Sequence, residues 1–197
     1  MSKILLLIRD ENSDYANEKY VTAIEKFGGE VIYIYDYDSE DVILNKLIEV
    51  DGILLPGGDK VGKWDYFLIG YALNNNLKLL GICQGMQSMA LYGSDEKLVE
   101  IGNLDHKKEE GYVHSVELSF GKLRNIYGKD KILVNSHHIQ TVTNSHNFLI
   151  VGKSADGLIE AIESDNSIFQ IGVQWHPERM VDYDEDSFKL LKAFLDE

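Results

Sequence analysis

The segment KLLGICQGMQS, residues 78–88, contains the single cysteine of the chain, at the point where an apolar run gives way to a helical pattern. Gly81 and Gly85 flank Cys83 at a distance of two residues on either side. This glycine spacing is typical of the nucleophile elbow of hydrolases, a tight strand-to-helix turn that exposes a nucleophile. A helix beginning near Gln84 would direct backbone N–H groups at the sulfur and favour the thiolate. The glycine pattern alone leaves a buried structural cysteine open as the alternative.

A thiolate nucleophile needs a general base, and the sequence GVQWHPERM at residues 172–180 offers one. Pro177 favours an extended conformation at His176. Side chains two positions apart on an extended segment share a side, so His176 and Glu178 are predicted to point together. A carboxylate beside an imidazole fixes the tautomer of the ring and stabilises its protonated form. Taken alone these two residues are typical of a surface ion pair, whereas together with the elbow they favour catalysis.

The sequence LLPGGD at residues 54–59 predicts a glycine turn at the end of a neighbouring strand. Acyl transfer requires backbone N–H donors for the oxyanion that forms on the attacked carbonyl. The backbone N–H of Gly58 and that of Gln84 are the candidates for this oxyanion hole. A plain strand-terminal turn remains the alternative, since glycines alone do not exclude it.

The elements that must position these residues alternate in the first half of the chain. Continuous apolar runs predict buried strands, and apolar residues at helical spacing predict helices between them. The predicted strands are 3–8, 31–35, 52–55 and 78–82, and the predicted helices are 15–27, 39–50 and 65–76. Repeated β-α units joined by short connections predict an α/β fold of three layers, with a doubly wound, mostly parallel, flavodoxin-like central sheet. Cys83 then lies at the carboxyl end of a central strand, where such sheets bind ligands.

The second half of the chain has a different pattern of apolar residues. Short runs bounded by turns predict additional, partly antiparallel strands at 113–118, 132–134, 148–151, 159–162 and 168–173. The last twelve residues, DSFKLLKAFLDE, predict an amphipathic closing helix. The sequence contains no recognisable linker or internal repeat, so we expect residues 1–197 to form a single domain.

Composition restricts the partners of the chain. Its 197 residues carry 33 Asp plus Glu against 19 Lys plus Arg, a formal charge of −14, which argues against a nucleic acid polymer as ligand. No apolar stretch reaches the length of a membrane span, and the amino-terminal apolar run is too short for a signal peptide. A single cysteine cannot form an internal disulfide, which fits a cytoplasmic location.

The motifs LLPGGD, GICQGMQ and GVQWHPE together resemble those of the class I (triad) glutamine amidotransferase superfamily, in the same order and over nearly the whole chain. The resemblance implies Cys83 as nucleophile, His176 as general base and acid, and Glu178 as the residue that orients His176. It implies the backbone N–H groups of Gly58 and Gln84 as oxyanion donors. It also implies that Gln87 contacts the γ-glutamyl part of the substrate.

The second half resembles the γ-glutamyl hydrolase branch of that superfamily, on the segments DHK (105–107), HSVEL (114–118), VNSHHIQ (134–140) and ADGLIEAIE (155–163). There the resemblance implies that Asn135, Ser136 and His137 bind the α-amino and α-carboxylate groups of the substrate. Two departures lie near the expected pocket rim: a shortened loop, KVGKWDYF, and Leu68 where an acidic residue is expected. Taken whole, the chain also resembles members that act in bacterial capsule biosynthesis on a nucleotide-linked glutamine, γ-glutamyl-CDP-amidate.

We therefore expect a hydrolase that cleaves a small-molecule γ-glutamyl amide through a glutamyl thioester. A glutaminase subunit that supplies ammonia to a synthetase partner, and a non-catalytic binding module of the same fold, are the alternatives. A homo-oligomer stays open. We expect no cofactor and no metal, because His137 and His138 are adjacent and would face opposite sides of a strand.

Overall fold

The computed structural model describes residues 1–9, 13–102, 106–108 and 111–196, with Tyr15 described by its backbone alone. Strands and helices alternate through the first half of the chain, as the sequence predicts. In chain order the elements are β1 (Lys3–Ile8), α1 (Asp14–Lys26), β2 (Glu30–Tyr35), α2 (Glu40–Leu47), β3 (Gly52–Leu55), α3 (Asp65–Asn75), β4 (Lys78–Ile82), α4 (Gln84–Leu91), β5 (Val99–Glu100), β6 (His114–Leu118), α5 (Gly121–Tyr127), β7 (Lys131–Val134), β8 (Gln140–Thr141), β9 (Leu149–Ser154), β10 (Ile159–Glu163), β11 (Gln170–Val173) and α6 (Glu185–Asp196).

A nine-stranded sheet runs through both halves of the chain in the order β2-β1-β3-β4-β11-β10-β9-β6-β7. The strands from β2 to β11 pair in parallel, and those from β11 to β7 pair antiparallel. The predicted fold class, a mostly parallel central sheet with added antiparallel strands, is thereby confirmed. β11 lies at the junction of the two parts, directly beside β4.

The sheet is buried on both faces, which explains its continuous apolar strands. In β1, Ile4 and Leu6 pack into one apolar cluster, whereas Leu5 and Leu7 pack into the other. Alternate side chains of a strand point to opposite faces, so each strand contributes to both clusters. Helices α1, α5 and α6 cover the first face, and helices α2, α3 and α4 cover the second. The result is a three-layer arrangement.

Helix α5 is an element that the sequence did not predict. Its amino terminus is capped by the carboxylate of Glu163, which accepts hydrogen bonds from the backbone N–H groups of Lys122 (2.9 Å) and Leu123 (3.1 Å). Glu163 belongs to β10 and lies about forty residues further along the chain. A cap supplied from a distant strand leaves no local signal, unlike the cap of α2, where the side chain of Ser39 accepts from the nearby N–H of Val42.

The described helices are those of a protein core and not membrane spans. None of them combines the length and the apolar character that crossing a bilayer requires.

Candidate active site

Cys83 lies between the end of β4 and the start of α4, in a backbone conformation that L-residues rarely adopt, with φ 52° and ψ −107°. Its N–H donates to the carbonyl oxygen of Val173 at 2.8 Å, which holds the turn against β11. A Cβ atom at position 85 would overlap the carbonyl oxygen of Leu55 in β3. A Cβ atom at position 81 would lie 2.8 Å from the carbonyl carbon of Gly85. The two glycines therefore allow the sharp turn and the close packing of α4.

The sulfur of Cys83 has a polar neighbour that the sequence analysis missed. The side-chain amide of Gln174 donates from Nε2 to the Cys83 sulfur at 3.6 Å. Gln174 is oriented in turn by Gln87, which donates to its Oε1 atom at 3.0 Å and to the carbonyl oxygen of Gln140 at 2.8 Å. An N–H donor directed at the sulfur favours a negative charge there.

The imidazole of His176 and the carboxylate of Glu178 are buried and in contact, with Nδ1 2.7 Å from Oε1. The local backbone differs from the predicted extended segment, because residues Pro177–Arg179 form one 3₁₀ turn. Pro177 at the first position of that turn loses no hydrogen bond, since the first N–H groups of a helix have no internal acceptor. The side chains meet across the turn and not along a strand. Trp175 is buried in the core, as expected.

The charge state of His176 follows from its neighbours. Burial by itself disfavours the imidazolium, but the negative charge of Glu178 and the proximity of the Cys83 sulfur outweigh it and raise the pKa of His176 to about 9. The Nε2 atom of His176 is buried and makes no hydrogen bond to a described residue. The ring is therefore held by Nδ1, and its other nitrogen is available on the side of the cysteine.

Asn135 fixes the backbone at His176. Its side-chain oxygen accepts from the His176 N–H at 2.8 Å, and its Nδ2 donates to the His176 carbonyl oxygen at 2.8 Å. The Ser136 hydroxyl donates to the carbonyl oxygen of His106 at 2.8 Å. The polar side-chain atoms of both residues are thus engaged with the protein backbone.

A cavity of about 250 Å³ opens beside Cys83. Its lining residues are Gly58, Asp59, Cys83, Lys107, His137, His138, Ile139 and Gln140. The ring of His137 lies 6.4 Å from that of His176, centroid to centroid. Burial and the positive charges of Arg179 and His176 lower the pKa of His137, so its imidazole is neutral at neutral pH. Of the four residues expected to bind substrate, His137 lines this cavity, whereas Gln87, Asn135 and Ser136 are not among its lining residues.

The two expected oxyanion donors lie on either side of the cysteine. Gly58 belongs to the loop after β3 and lines the cavity. Gln84 is the first residue of α4, where backbone N–H groups have no intrahelical acceptor. The preceding loop residue, Gly57, donates its N–H to the hydroxyl of Tyr20 at 2.9 Å. Burial and the nearby carboxylate of Glu178 raise the pKa of Tyr20 well above its ordinary value, so this hydroxyl stays neutral.

The two departures from the γ-glutamyl hydrolase pattern, Leu68 and the shortened loop, lie in different surroundings. Leu68 is fully buried in the core, and Asp65, one turn earlier in α3, carries a buried carboxylate 3.0 Å from the guanidinium of Arg9. Lys63 of the shortened loop lies over the Trp64 ring, 4.2 Å from its centroid. Asp105 of the DHK segment is outside the described residues.

The functional neighbours that sequence reasoning missed are Gln174 and Tyr20, together with the role of Asn135 as a backbone clamp. Gln174 precedes the predicted histidine by two residues in the quoted motif, so its position was a usable signal. Tyr20 reaches the site from α1, and nothing local in the sequence indicates that contact.

The chain is similar to known proteins in sequence and in fold. The family model described as Peptidase C26 matches residues 6–63 and 62–178. A protein of Schizosaccharomyces pombe, named provisionally as a glutamine amidotransferase, is 32% identical over 91% of this chain and 81% of its own length. The γ-glutamyl-γ-aminobutyrate hydrolase of Escherichia coli O157:H7 is 32% identical over 82% of this chain and 77% of its own length.

Solved structures share the fold. The glutaminase domain of Trypanosoma brucei CTPS, solved with bound acivicin, superimposes with a TM-score of 0.74 at 17% identity, covering 98% of this chain and 92% of that one. At 17% identity this similarity establishes a shared fold only. The match to the family model and the similarity to the two relatives are similarities of sequence. The chain belongs to the Peptidase C26 family, among relatives that include glutamine amidotransferase-like proteins and γ-glutamyl-γ-aminobutyrate hydrolases.

Proposed function

We propose that the protein is a cysteine-dependent hydrolase of γ-glutamyl amides, with Cys83, His176 and Glu178 as its catalytic triad. The observation that carries this proposal is the combination of a strained cysteine beside an open cavity with a buried histidine–carboxylate pair. A structural cysteine has no need of a positive φ angle, since that conformation costs about 1–3 kcal/mol and is retained where a function requires it. The family relationship to γ-glutamyl-γ-aminobutyrate hydrolase supports the same reaction class.

In the first half of the reaction the Cys83 thiolate attacks the δ-carbonyl carbon of the γ-glutamyl group. The carbonyl oxygen becomes an oxyanion, which accepts hydrogen bonds from the backbone N–H groups of Gly58 and Gln84. Losing one donor of this kind typically lowers the rate by about 10²–10³. His176, protonated at Nε2 and held at Nδ1 by Glu178, gives its proton to the departing nitrogen, and a glutamyl thioester remains.

In the second half a water molecule replaces the leaving group. His176, now neutral, takes a proton from this water as the oxygen attacks the thioester carbonyl. The C–S bond breaks, glutamate is released, and the thiolate and imidazolium are restored. One imidazole thus serves first as acid and then as base. The raised pKa of His176 favours the protonated ring with which the proposed cycle begins.

We propose that the leaving group, on the nitrogen side of the scissile amide, carries negative charge, as it does in the nucleotide-linked glutamine γ-glutamyl-CDP-amidate. Although the whole chain is acidic, Lys107 lines the cavity, and Arg179 is close enough to lower the pKa of His137. Cationic side chains beside the cavity are the groups that bind a diphosphate. We assign His137 to the γ-glutamyl end of the substrate, with Gln87, Asn135 and Ser136 supporting the walls around it.

A glutaminase that delivers ammonia to a synthetase partner is the second candidate. It is favoured by the fold shared with the glutaminase domain of Trypanosoma brucei CTPS. Because the same triad serves both reactions, the leaving group is what distinguishes them.

The proposal is tested by assaying release of glutamate from glutamine, γ-glutamyl-γ-aminobutyrate and a nucleotide-linked glutamine. We expect the nucleotide-linked substrate to give the highest kcat/KM, and Cys83→Ser to lower it by at least about 10³-fold. Mass spectrometry after a brief acid quench should detect a glutamyl adduct on Cys83.

High activity on glutamine alone, rising on addition of a synthetase, would move the assignment to the glutaminase candidate. No turnover of any γ-glutamyl amide, combined with failure of a glutamine-like diazo-ketone to label Cys83, would indicate a non-catalytic binding module.

A further inference from the structure

Three histidines and one glutamate form a buried cluster apart from the triad. Glu160, on β10, is completely buried, and its Oε1 atom lies 3.2 Å from His114 Nε2, 3.6 Å from His106 Nδ1 and 3.8 Å from His138 Nε2. Both carboxylate oxygens of Glu160 and all three of these nitrogens lack a hydrogen bond of acceptable geometry among the described residues. Five converging polar atoms without partners are costly inside a protein unless something else satisfies them.

Hydrogen bonds on the outer side of the cluster determine which nitrogens face inward. His138 Nδ1 lies 3.0 Å from the backbone carbonyl oxygen of Gln140, which can only accept, so Nδ1 carries the hydrogen. His106 Nε2 lies 2.9 Å from the carboxylate of Asp156, which likewise accepts. With the hydrogen on its outer nitrogen, a neutral ring at either position would direct a lone pair at Glu160, from Nε2 of His138 and from Nδ1 of His106. Lone pairs that face a carboxylate repel it unless a cation lies between them.

We propose that His106, His114, His138 and Glu160 bind one divalent transition-metal ion, of which Zn²⁺ fits best. Zinc prefers four imidazole and carboxylate ligands in a tetrahedron, with bonds of about 2.0–2.2 Å. Ligand atoms on such a tetrahedron are separated by roughly 3.3–3.5 Å. His114 and His106 lie 3.2 and 3.6 Å from Glu160 Oε1, close to this separation, and the ligand atoms of these three residues all lie within 4.8 Å of one another. His138, at 3.8 Å from the same oxygen, completes the set by a small inward shift.

The surroundings of the cluster match those of known metal-binding histidines. Such histidines donate their second ring nitrogen to a carboxylate or a backbone carbonyl, which fixes the ring and strengthens the ligand. Asp156 does this for His106, and the Gln140 carbonyl does it for His138. Protonated histidines hydrogen-bonded to Glu160 are the competing explanation. They require aligned N–H···O geometry, which none of the three histidines has with Glu160.

Four protein ligands leave no position for a reacting water, so the ion is structural. It joins segments that form the walls of the candidate active site. His138 follows the cavity residue His137, which pairs with Lys107 in a β-bridge, and the backbone N–H of His138 donates to the His106 carbonyl oxygen at 3.0 Å. The carbonyl oxygen of Glu160 accepts from the backbone N–H of Gln174 at 2.8 Å. The ion thereby supports the strand that leads to His176.

The proposed ion departs at one point from the sequence-based expectation of a protein without metal. The ring of His137 lies near that of His176, whereas Nε2 of His138 lies near Glu160, so the proposed ion does not bind both histidines. Apart from His138, the proposed ligands are residues 106, 114 and 160. The pair of adjacent histidines in the sequence does not indicate these three positions.

The test begins with the untagged wild-type protein, purified without chelator and analysed for metals by mass spectrometry. We expect about one equivalent of zinc per chain, and a lower melting temperature after treatment with a strong chelator. Removing zinc and adding Co²⁺ should produce the visible absorption of tetrahedral cobalt, with no thiolate-to-metal charge-transfer band. The same spectrum from Cys83→Ser distinguishes this site from adventitious binding at Cys83 and His176.

Variants locate the ion. Glu160→Gln and His114→Gln should each lower zinc content to below about a tenth of an equivalent, and Asp156→Asn should weaken zinc affinity about 10–100-fold. His146→Gln is the matched control, because His146 is a half-exposed histidine paired with Glu96 outside the cluster. Its zinc content should equal that of the wild type.

The inference is overturned if the wild-type protein is folded without metal, shows no cobalt spectrum, and melts at the same temperature with and without zinc. It is equally overturned if Glu160→Gln, shown to be folded by circular dichroism, retains full zinc. The inference does not depend on the proposed hydrolase activity, since metal content and the cobalt spectrum are measured without substrate.

Discussion

At the scale of single residues, the chemistry depends on how Glu178 holds His176. A free thiol with the usual pKa of about 8.5 is only a few per cent ionised at neutral pH, so a nucleophilic cysteine needs a nearby cation. The buried carboxylate of Glu178 keeps the imidazole protonated, and the side-chain amide of Gln174 donates toward the sulfur. The protonated ring then places a cation near the Cys83 sulfur, as the proposed mechanism requires.

Replacing Glu178 by glutamine should change stability in a pH-dependent way. The folded pKa of His176, about 9, exceeds its unfolded value near 6.5, so the stability it contributes is fully present below pH 6.5 and is lost as pH rises through 9. This contribution corresponds to at most about 3 kcal/mol. The difference in unfolding free energy between wild type and Glu178→Gln should therefore be largest near pH 6 and shrink toward pH 9.5. Urea denaturation at several pH values measures it, and parallel pH profiles for the two proteins would contradict the assigned coupling.

At the scale of elements, the position of the nucleophile depends on how closely α4 approaches β3 and β4. In an exposed helix, replacing glycine by alanine stabilises by about 1 kcal/mol, because alanine restricts the unfolded chain and favours the helix. At Gly85 the added methyl group would overlap the Leu55 carbonyl oxygen, which belongs to the backbone of a central strand and cannot move aside cheaply. Packing therefore outweighs propensity at this position.

Gly85→Ala is expected to lower the free energy of unfolding by roughly 1–3 kcal/mol and to displace the cysteine loop. Urea denaturation gives the first effect, and the rate of alkylation of Cys83 gives the second. Gly102→Ala is the control, since a Cβ atom there meets no atom of the described residues within 4 Å. Equal stability of the two variants would show that α4 has room that the structure does not indicate.

At the scale of the whole molecule, the site forms where the parallel and antiparallel parts of one sheet meet. Cys83 follows β4, and His176 lies beyond β11, its direct neighbour in the sheet. Asn135, just after β7 at the far edge, reaches the backbone of His176. Because one sheet continues through both parts, we propose that residues 1–197 form a single domain.

Asn135→Ala should separate this positioning role from direct binding of substrate. The change leaves the buried N–H of His176 without its acceptor, which costs about 1–3 kcal/mol of stability, whereas the His176 carbonyl oxygen keeps the Arg179 N–H as a donor at 3.2 Å. We expect kcat to fall about 10–100-fold with a smaller change in KM, because a shifted imidazole affects the chemical step. Steady-state kinetics and thermal melting measure both effects. Asn75→Ala, which loses one exposed hydrogen bond within α3, is the control. A rise in KM at unchanged kcat would return Asn135 to the substrate-binding residues.

The sequence by itself determined the layout of the first half and the identity of the candidate triad. Buried parallel strands need continuous apolar runs, and residues 3–8 and 78–82 have them. The elbow is also a local matter, because Gly81 and Gly85 act on the turn that contains Cys83. The pairing of His176 with Glu178 was predicted from their spacing, although a 3₁₀ turn and not an extended segment brings them together.

Only the tertiary structure decided the features that depend on residues far apart in the chain. The capping of α5 by Glu163, the amide of Gln174 at the sulfur and the clamp of Asn135 on His176 each join separate strands. The cluster of His106, His114, His138 and Glu160 draws on four segments, and none of them alone resembles a metal site. Local patterns record what neighbouring residues require of the backbone, whereas long-range polar contacts exist only after the sheet has formed.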